Sequence, residues 1–246
     1  MITLIDGSNR SHYPQTLDAM YRGRAAMFGE RLGWDVIVKD GREIDIYDGE
    51  NPLYLVHRGV KPGEVYGSLR LMPTTGRTLL TDVFAEHFNE PVNVRSPLIW
   101  EGTRFCVHDE NGPRTATGIH TTTVELFLAM CEVGLRAGLT QIIAIYDPRL
   151  VRIYKRIGWS PEPLGYSDHF PHGRIYVGLW DISQQALTAM RESGISMTSQ
   201  EKRSALAGPS RHRLRPIWGR GCATSSMPPF PLTLGSNGAW TRAAAG

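Results

Sequence analysis

Residues 121 to 158 constrain the fold class more tightly than any other stretch of the chain. From Thr121 to Ala137 the residues Val124, Phe127, Leu128, Cys131 and Leu135 recur at i, i+3, i+4, i+7 and i+11, the period of an amphipathic helix, and Gly138 is its stop. Gln141 to Tyr146 is then a continuous apolar run of buried-strand length. Pro148 opens a helix ending near Gly158, because a fixed φ and a missing N–H are harmless in a first turn. Strands around Leu164 to Phe170 and Gly173 to Leu179 and a helix from Ser183 to Glu192 follow. Upstream, a helix over Asp18 to Leu32 carries Tyr21, Ala25, Phe28 and Leu32 on one stripe. Next come strands at Leu53 to His57 and Val65 to Leu71, a short helix at Leu79 to Phe88 and a strand at Leu98 to Val107. A strand-rich first half followed by alternating helices and strands predicts one α/β domain, a mixed sheet with helices on both faces, and no internal repeat interrupts it.

The 246 residues, 41% hydrophobic and 21% charged, are enough for a substantial core. No stretch approaches the roughly 18 uninterrupted apolar residues of a membrane helix, and the first residues lack a signal-peptide layout, so a cytoplasmic protein without membrane insertion is expected. Cys106, Cys131 and Cys222 are too scattered for a disulfide framework or a zinc knuckle. Residues 197–246 are basic, at +6 against −3 for the rest, and rich in Ser, Gly, Pro and Ala. They read as a disordered tail beyond a 1–196 folded domain, without a motif for a specific nucleic acid.

Three polar clusters stand out. Arg24 and Phe28 lie one helical turn apart, before Glu30-Arg31-Leu32-Gly33-Trp34. Asp40, Glu43, Asp45 and Asp48 form an acidic segment that on its own reads as a solvated loop, and whose local negative field could attract a metal, an ammonium or a sulfonium ion. Arg70-Leu71-Met72-Pro73-Thr74-Thr75 ends one strand, and Trp100-Glu101-Gly102-Thr103-Arg104-Phe105 lies in another. Glu101 and Arg104 are three apart, so a regular strand sends them to opposite faces. They line one cavity only if the strand bulges or twists strongly, for which Gly102 is suited.

Arg24, Phe28, Trp34, Asp45, Asp48, Arg70, Glu101 and Arg104, in this order and nearly this spacing, resemble the eight hallmark positions of the acyl-homoserine lactone synthases, the LuxI-type autoinducer synthases. The resemblance continues more weakly to about residue 192 and departs at Gly23, where the family prefers a large apolar residue. It implies a single-domain, three-layer fold like that of the GCN5-related N-acetyltransferases. It also implies an enzyme that transfers an acyl group from a thioester to the amine of S-adenosylmethionine, then closes the lactone and expels methylthioadenosine.

On that resemblance Glu101 is the candidate general base, with Arg70 beside it in the catalytic set. Arg24, Phe28, Trp34, Asp45, Asp48 and Arg104 are the S-adenosylmethionine set, the acids suiting the cation and the rings the sulfonium and adenine. Ala144 aligns with the acyl pocket position where a threonine accompanies 3-oxo chains, so an unsubstituted chain is expected. Arg149, Arg152 and Arg156, with Lys155 nearby, form a basic helix face suited to an acidic acyl carrier protein or to a solvated surface. The segment His108 to Arg114 lacks the glycine-rich loop that cradles coenzyme A pyrophosphate, which favours a carrier protein over acyl-CoA as donor. No metal, no further cofactor and no covalent role for Cys106 are expected; Asp168, His169 and His172 read as surface polar residues. The alternatives are a general acyl-CoA N-acyltransferase of the same fold and a non-catalytic S-adenosylmethionine-binding module.

Overall fold

The computed structural model describes residues 1–194, except 89, 91 and 110, together with two short strands further on. Its centre is a seven-stranded sheet in the order β1-β4-β5-β6-β7-β9-β8. These strands are β1 (Ile2–Ile5), β4 (Leu53–Arg58), β5 (Val65–Pro73), β6 (Ile99–Val107), β7 (Gln141–Tyr146), β8 (Glu162–Ser167) and β9 (Ile175–Asp181). A two-stranded hairpin, β2 (Val38–Lys39) and β3 (Arg42–Glu43), carries part of the acidic segment. All neighbours in the main sheet are antiparallel except β6 and β7, which run parallel because the helix α2 (Thr121–Arg136) crosses between them.

Helix α1 (Pro14–Arg24) packs on one face; α2, α3 (Val151–Ile157) and α4 (Gln184–Gly194) pack on the other, which gives the three layers expected. β4 shows why: Leu55 points into the core under α2, whereas Tyr54 and Val56 point into the core under α1 with Leu17, Met20 and Tyr21. β7 is buried on both sides, Ile142 in one core and Ile143 in the other, as its unbroken apolar run required.

Several boundaries differ from the sequence reading. The first helix begins at Pro14, a proline at its first turn, and after Arg24 it widens into a π-helical segment over Ala25–Arg31. There Leu32 N–H reaches the Met27 carbonyl at 3.0 Å, which changes the angular spacing of later side chains; Phe28 is buried, Leu32 half-buried. The expected helix at Leu79 to Phe88 is a π turn, Leu80–Phe84, followed by a 3-10 turn, Ala85–His87. β8 stops at Ser167 because the Ser167 hydroxyl takes the His169 N–H at 3.0 Å and turns the chain, leaving Phe170 in the connection. β1 was not anticipated. The expected disordered tail lies outside the described residues, apart from strands β10 (Leu232–Leu234) and β11 (Trp240–Arg242), which pair antiparallel.

The feature that positions the site is the brevity of the β6–β7 pairing. Only Ile99, Trp100 and Glu101 pair with Gln141, Ile142 and Ile143; beyond Glu101 the two strands diverge. The fork opens beside a sheet held tightly elsewhere. At Gly67 on β5 a methyl group would meet the Cys106 carbonyl at 2.8 Å and Thr122 Cγ2 at 2.7 Å. Gly67→Ala should therefore push α2 off the sheet and cost about 1–3 kcal/mol, read as a lowered denaturant midpoint.

Candidate active site

The acidic segment folds back on α1 and the middle of the sheet to form a buried ion network. Arg24, in the last turn of α1, donates Nε to Glu43 Oε2 at 2.5 Å and forks onto both oxygens of Asp48 at 2.8 and 2.9 Å. Arg70, from β5, forks onto Asp45 at 2.5 and 2.9 Å, reaches Asp48 Oδ1 at 2.9 Å and donates Nε to Thr103 Oγ1 at 3.0 Å. Arg104 Nη2 lies 2.9 Å from Glu43 Oε1 and 2.9 Å from Asp45 Oδ2. The Tyr54 hydroxyl completes the shell of Asp48 at 2.6 Å.

Arg24, Glu43 and Arg70 are each 1% exposed or less, a burial that ionised groups tolerate only when every charge is matched and hydrogen-bonded. Burial alone would raise the Asp48 and Glu43 carboxyls. For Asp48, Arg24, Arg70 and Tyr54 overcome it, and for Glu43, Arg24 and Arg104 do, so both are held below the ordinary range. Local structure helps to aim the acids. Asp45 accepts the N–H of Tyr47 and Asp48 while Asp48 accepts that of Asp45, a reciprocal cap over the 3-10 turn Ile46–Gly49.

Arg104 reaches the network through a bulge that the sequence reading anticipated at the wrong residue. Ser68 pairs with Cys106 and Arg70 with Thr103, so β6 holds one extra residue, and Arg104 adopts φ +52°. Gly102 stays in register opposite Leu71. The left-handed backbone costs a non-glycine residue about 1–3 kcal/mol; the ion pairs to Glu43 and Asp45 offset it and hold Arg104 on the face that carries Glu101 and Thr103.

Glu101 sits at the fork of β6 and β7, 1% exposed, with Oε2 accepting Leu79 N–H at 2.9 Å and Oε1 accepting Leu80 N–H at 2.7 Å. Burial pushes its carboxyl up to about 7, against the pull of those two amides and of Arg70 and Arg104. Above the network, the Trp34 ring lies 5.4 Å from Phe28, and the Arg104 guanidinium lies 5.3 Å over Phe28. The β8–β9 connection brings Phe170 edge-on to Trp34 at 5.8 Å and His172 to 6.4 Å.

A cavity of about 770 Å³ joins these parts. It runs from Trp34 and Arg104, past Glu101 and Gly102, to apolar walls at Phe127, Met130 and Trp180, and Ala144 on β7 lines it. Arg149, Arg152, Lys155 and Arg156 are all exposed; Arg149 lines the cavity and folds back on Asp147 at 2.6 Å, and Arg156 reaches the Thr117 carbonyl at 3.5 Å. Asp168 pairs with Arg174 at 2.5 Å, and among the described residues no group of three or more His, Cys, Asp or Glu could hold a metal. Burial pushes the Cys106 thiol up to about 11, which disfavours a thiolate.

The eight residues singled out from the sequence thus lie around one chamber and its ionic wall. Glu43, Tyr54 and Phe170 belong with them and were not singled out. Glu43 was visible only as one more acid in a run, and nothing in the spacing of Tyr54 or Phe170 marks them.

The site is thus a cleft opened by diverging strands, with a buried carboxyl at its fork and a paired ionic wall beside it. The autoinducer synthase family model matches residues 8–190. A curated acyl-homoserine-lactone synthase of Rhizobium etli is 42% identical over 179 residues, 72% of this chain and 82% of that protein. One of Agrobacterium fabrum is 34% identical over 67% of this chain and 78% of its own. Among solved structures, the CoA-dependent acyl-homoserine lactone synthase BjaI with SAM and isopentyl-CoA superposes with a TM-score of 0.67 at 28% identity, covering 78% of this chain and 88% of that one. The synthase LasI gives 0.66 at 26%, covering 78% and 94%. The chain belongs to the autoinducer synthase family, and it is an acyltransferase that makes acyl-homoserine lactone.

The lowered carboxyls set an acid limb for stability. A depressed folded pKa contributes stability that is complete above the unfolded carboxylate range, about 3.9 to 4.3, and is lost as pH falls below it. Unfolding followed from pH 7 to pH 3 should show this loss. Asp48→Asn should be less stable at pH 7 by about 3 kcal/mol, because it leaves Arg24 short of its partner, and should converge on the parent at low pH.

Proposed function

We propose that the network and its aromatic roof hold S-adenosylmethionine, that Glu101 receives the proton from its amine, and that the acyl chain lies in the apolar half of the cavity beyond the fork. The observation that carries this reading is the position of Glu101. A carboxyl raised to about 7 stands where the chamber wall of Trp34 and Arg104 meets the opening between β6 and β7. An α-amine of pKa about 7.7 to 8.0 needs only a modest base, so a carboxylate in that range, direct or through one water, is matched to the task.

Attack of the neutral amine on the thioester carbonyl gives a tetrahedral oxyanion. Beyond Glu101 the main chain of β6 has no β7 partner, and its N–H groups are candidates to stabilise that charge. Collapse expels the thiol. A methionyl carboxylate oxygen then attacks the γ-carbon bonded to sulfur, closing the lactone as that C–S bond breaks and methylthioadenosine leaves. In this reading Arg24 and Arg70 touch the substrate little: with their donors committed to Glu43, Asp45 and Asp48, they hold the acids in place. Phe28 and Trp34 offer ring faces to the sulfonium and adenine, and Arg104, the most exposed of the three arginines, is the one suited to the substrate carboxylate.

Both substrates are consumed and no further cofactor is needed. The donor is a phosphopantetheine thioester, and the exposed bases Arg149, Arg152, Lys155 and Arg156 beside the cavity favour one borne on an acidic acyl carrier protein over acyl-CoA. No helix among the described residues is long and apolar enough to cross a membrane, and the work is assigned to the cytoplasm, where both substrates are made. Ala144 offers the chain no hydroxyl, which suits an unsubstituted acyl group.

Expression in a host without its own signal, with mass spectrometry of the extract, tests the reading directly and names the acyl chain. Glu101→Gln should lower kcat by about 10²–10⁴-fold with little change in the KM for S-adenosylmethionine, and the rise of kcat with pH through about 7 should disappear with it. Ala144→Thr should raise 3-oxo products. Reversing Arg152, Lys155 and Arg156 to Glu should raise KM for a carrier-borne donor and leave that for acyl-CoA unchanged.

A further inference from the structure

His108 lies one residue past β6 and its ring rests on Gly23, one residue before Arg24. A Cβ at position 23 would stand 2.1 Å from His108 Nδ1 and 2.2 Å from Cε1, so the ring fills the space where position 23 has no side chain. The ring is also bonded into the surroundings. His108 hydrogen-bonds the Gly23 backbone, its Nε2 lies 3.7 Å from Cys106 Sγ, and that sulfur lies 3.7 Å from Ser68 Oγ. Burial pushes the ring down to about 4, so it stays neutral through this chain of contacts. The His108 N–H, donating to the Tyr66 carbonyl at 2.7 Å, ties the same residue to β5.

We propose that His108 is a positioning residue for S-adenosylmethionine binding: wedged on Gly23, it fixes the end of α1 against β6 and so aims the Arg24 guanidinium at Glu43 and Asp48. The segment it holds is the one that needs holding, since α1 changes at Ala25 from α to π geometry and a small rotation there would carry Arg24 off both carboxylates. His108 and Gly23 are then a fitted pair, each dispensable only if the other changes.

The inference rests on the reading that this network serves S-adenosylmethionine, and the test separates the two. Steady-state kinetics for both substrates, with calorimetric S-adenosylmethionine binding, are measured on Gly23→Ala, His108→Ala, His108→Gln, the double variant Gly23→Ala/His108→Ala, and Arg24→Lys. Gly23→Ala and His108→Ala should each raise the KM and Kd for S-adenosylmethionine about tenfold, with the KM for the acyl donor unmoved. His108→Gln, which keeps a donor, should recover most of this loss, and the double variant should bind better than either single change. The proposal is overturned if His108→Ala and Gly23→Ala leave S-adenosylmethionine binding unchanged, or if the double variant merely sums the two losses. If His108→Ala does not fold, Gly23→Ala and His108→Gln decide the question. Arg24→Lys weakening S-adenosylmethionine while the pair shows no coupling would overturn the positioning role alone; Arg24→Lys without effect would overturn the site reading and the inference together.

Discussion

Two buried guanidinium groups and a third, half-buried one, matched to three carboxylates, are the constraint around which this molecule is arranged. Arg24 comes from a helix, Arg70 and Arg104 from adjacent strands, and Glu43, Asp45 and Asp48 from a segment with little regular structure. Separately, each charge would be costly to bury. Together they satisfy one another, and the segment 40–50, which has a small apolar contribution of its own, is fastened to the sheet by them. Breaking one pair is expensive because the surviving partner is left buried without a matching charge.

The same network explains the irregular backbone nearby. Arg104 takes a left-handed conformation in the middle of a strand because its ion pairs lie on the face a regular strand would deny it. The bulge sits just past the last rung between β6 and β7, so the residue that opens toward the cavity and the residue that joins the network come from one short stretch of β6. Glu101 stands between, tied to the N–H groups of Leu79 and Leu80, and thereby links the fork to the short helical turns that cover it. A carboxyl placed there is buried by the fold and raised by that burial, which is what a proton acceptor near neutrality needs.

The apolar side of the chamber has a simpler origin. β7 must be hydrophobic on both faces to lie between two layers, and where β6 leaves it the exposed apolar edge becomes a wall with Phe127 and Met130 of α2. The apolar room is therefore a by-product of an unfinished pairing. An ionic wall on one side of the fork and an apolar wall on the other are the features on which the proposed placement of the two substrates rests.

Much of the fold was legible in the chain itself. The helical period of 121–137 and the apolar run 141–146 became α2 and β7 with almost unchanged bounds, because each follows from side chains repeating at the spacing of its own element. The eight positions were legible as a pattern, and the need for a bulge or a strong local twist followed from the parity of Glu101 and Arg104. The tertiary structure alone decided that the bulge falls on Arg104 instead of Gly102, that α1 widens after Arg24, and that Glu43, Tyr54 and Phe170 join the site. The physical reason is common to all of these. Periodicity is a local property that a few neighbouring residues fix, whereas the partner of a buried charge or the ring that closes a roof is chosen by groups far away in sequence, and only the folded chain brings them within a few ångströms.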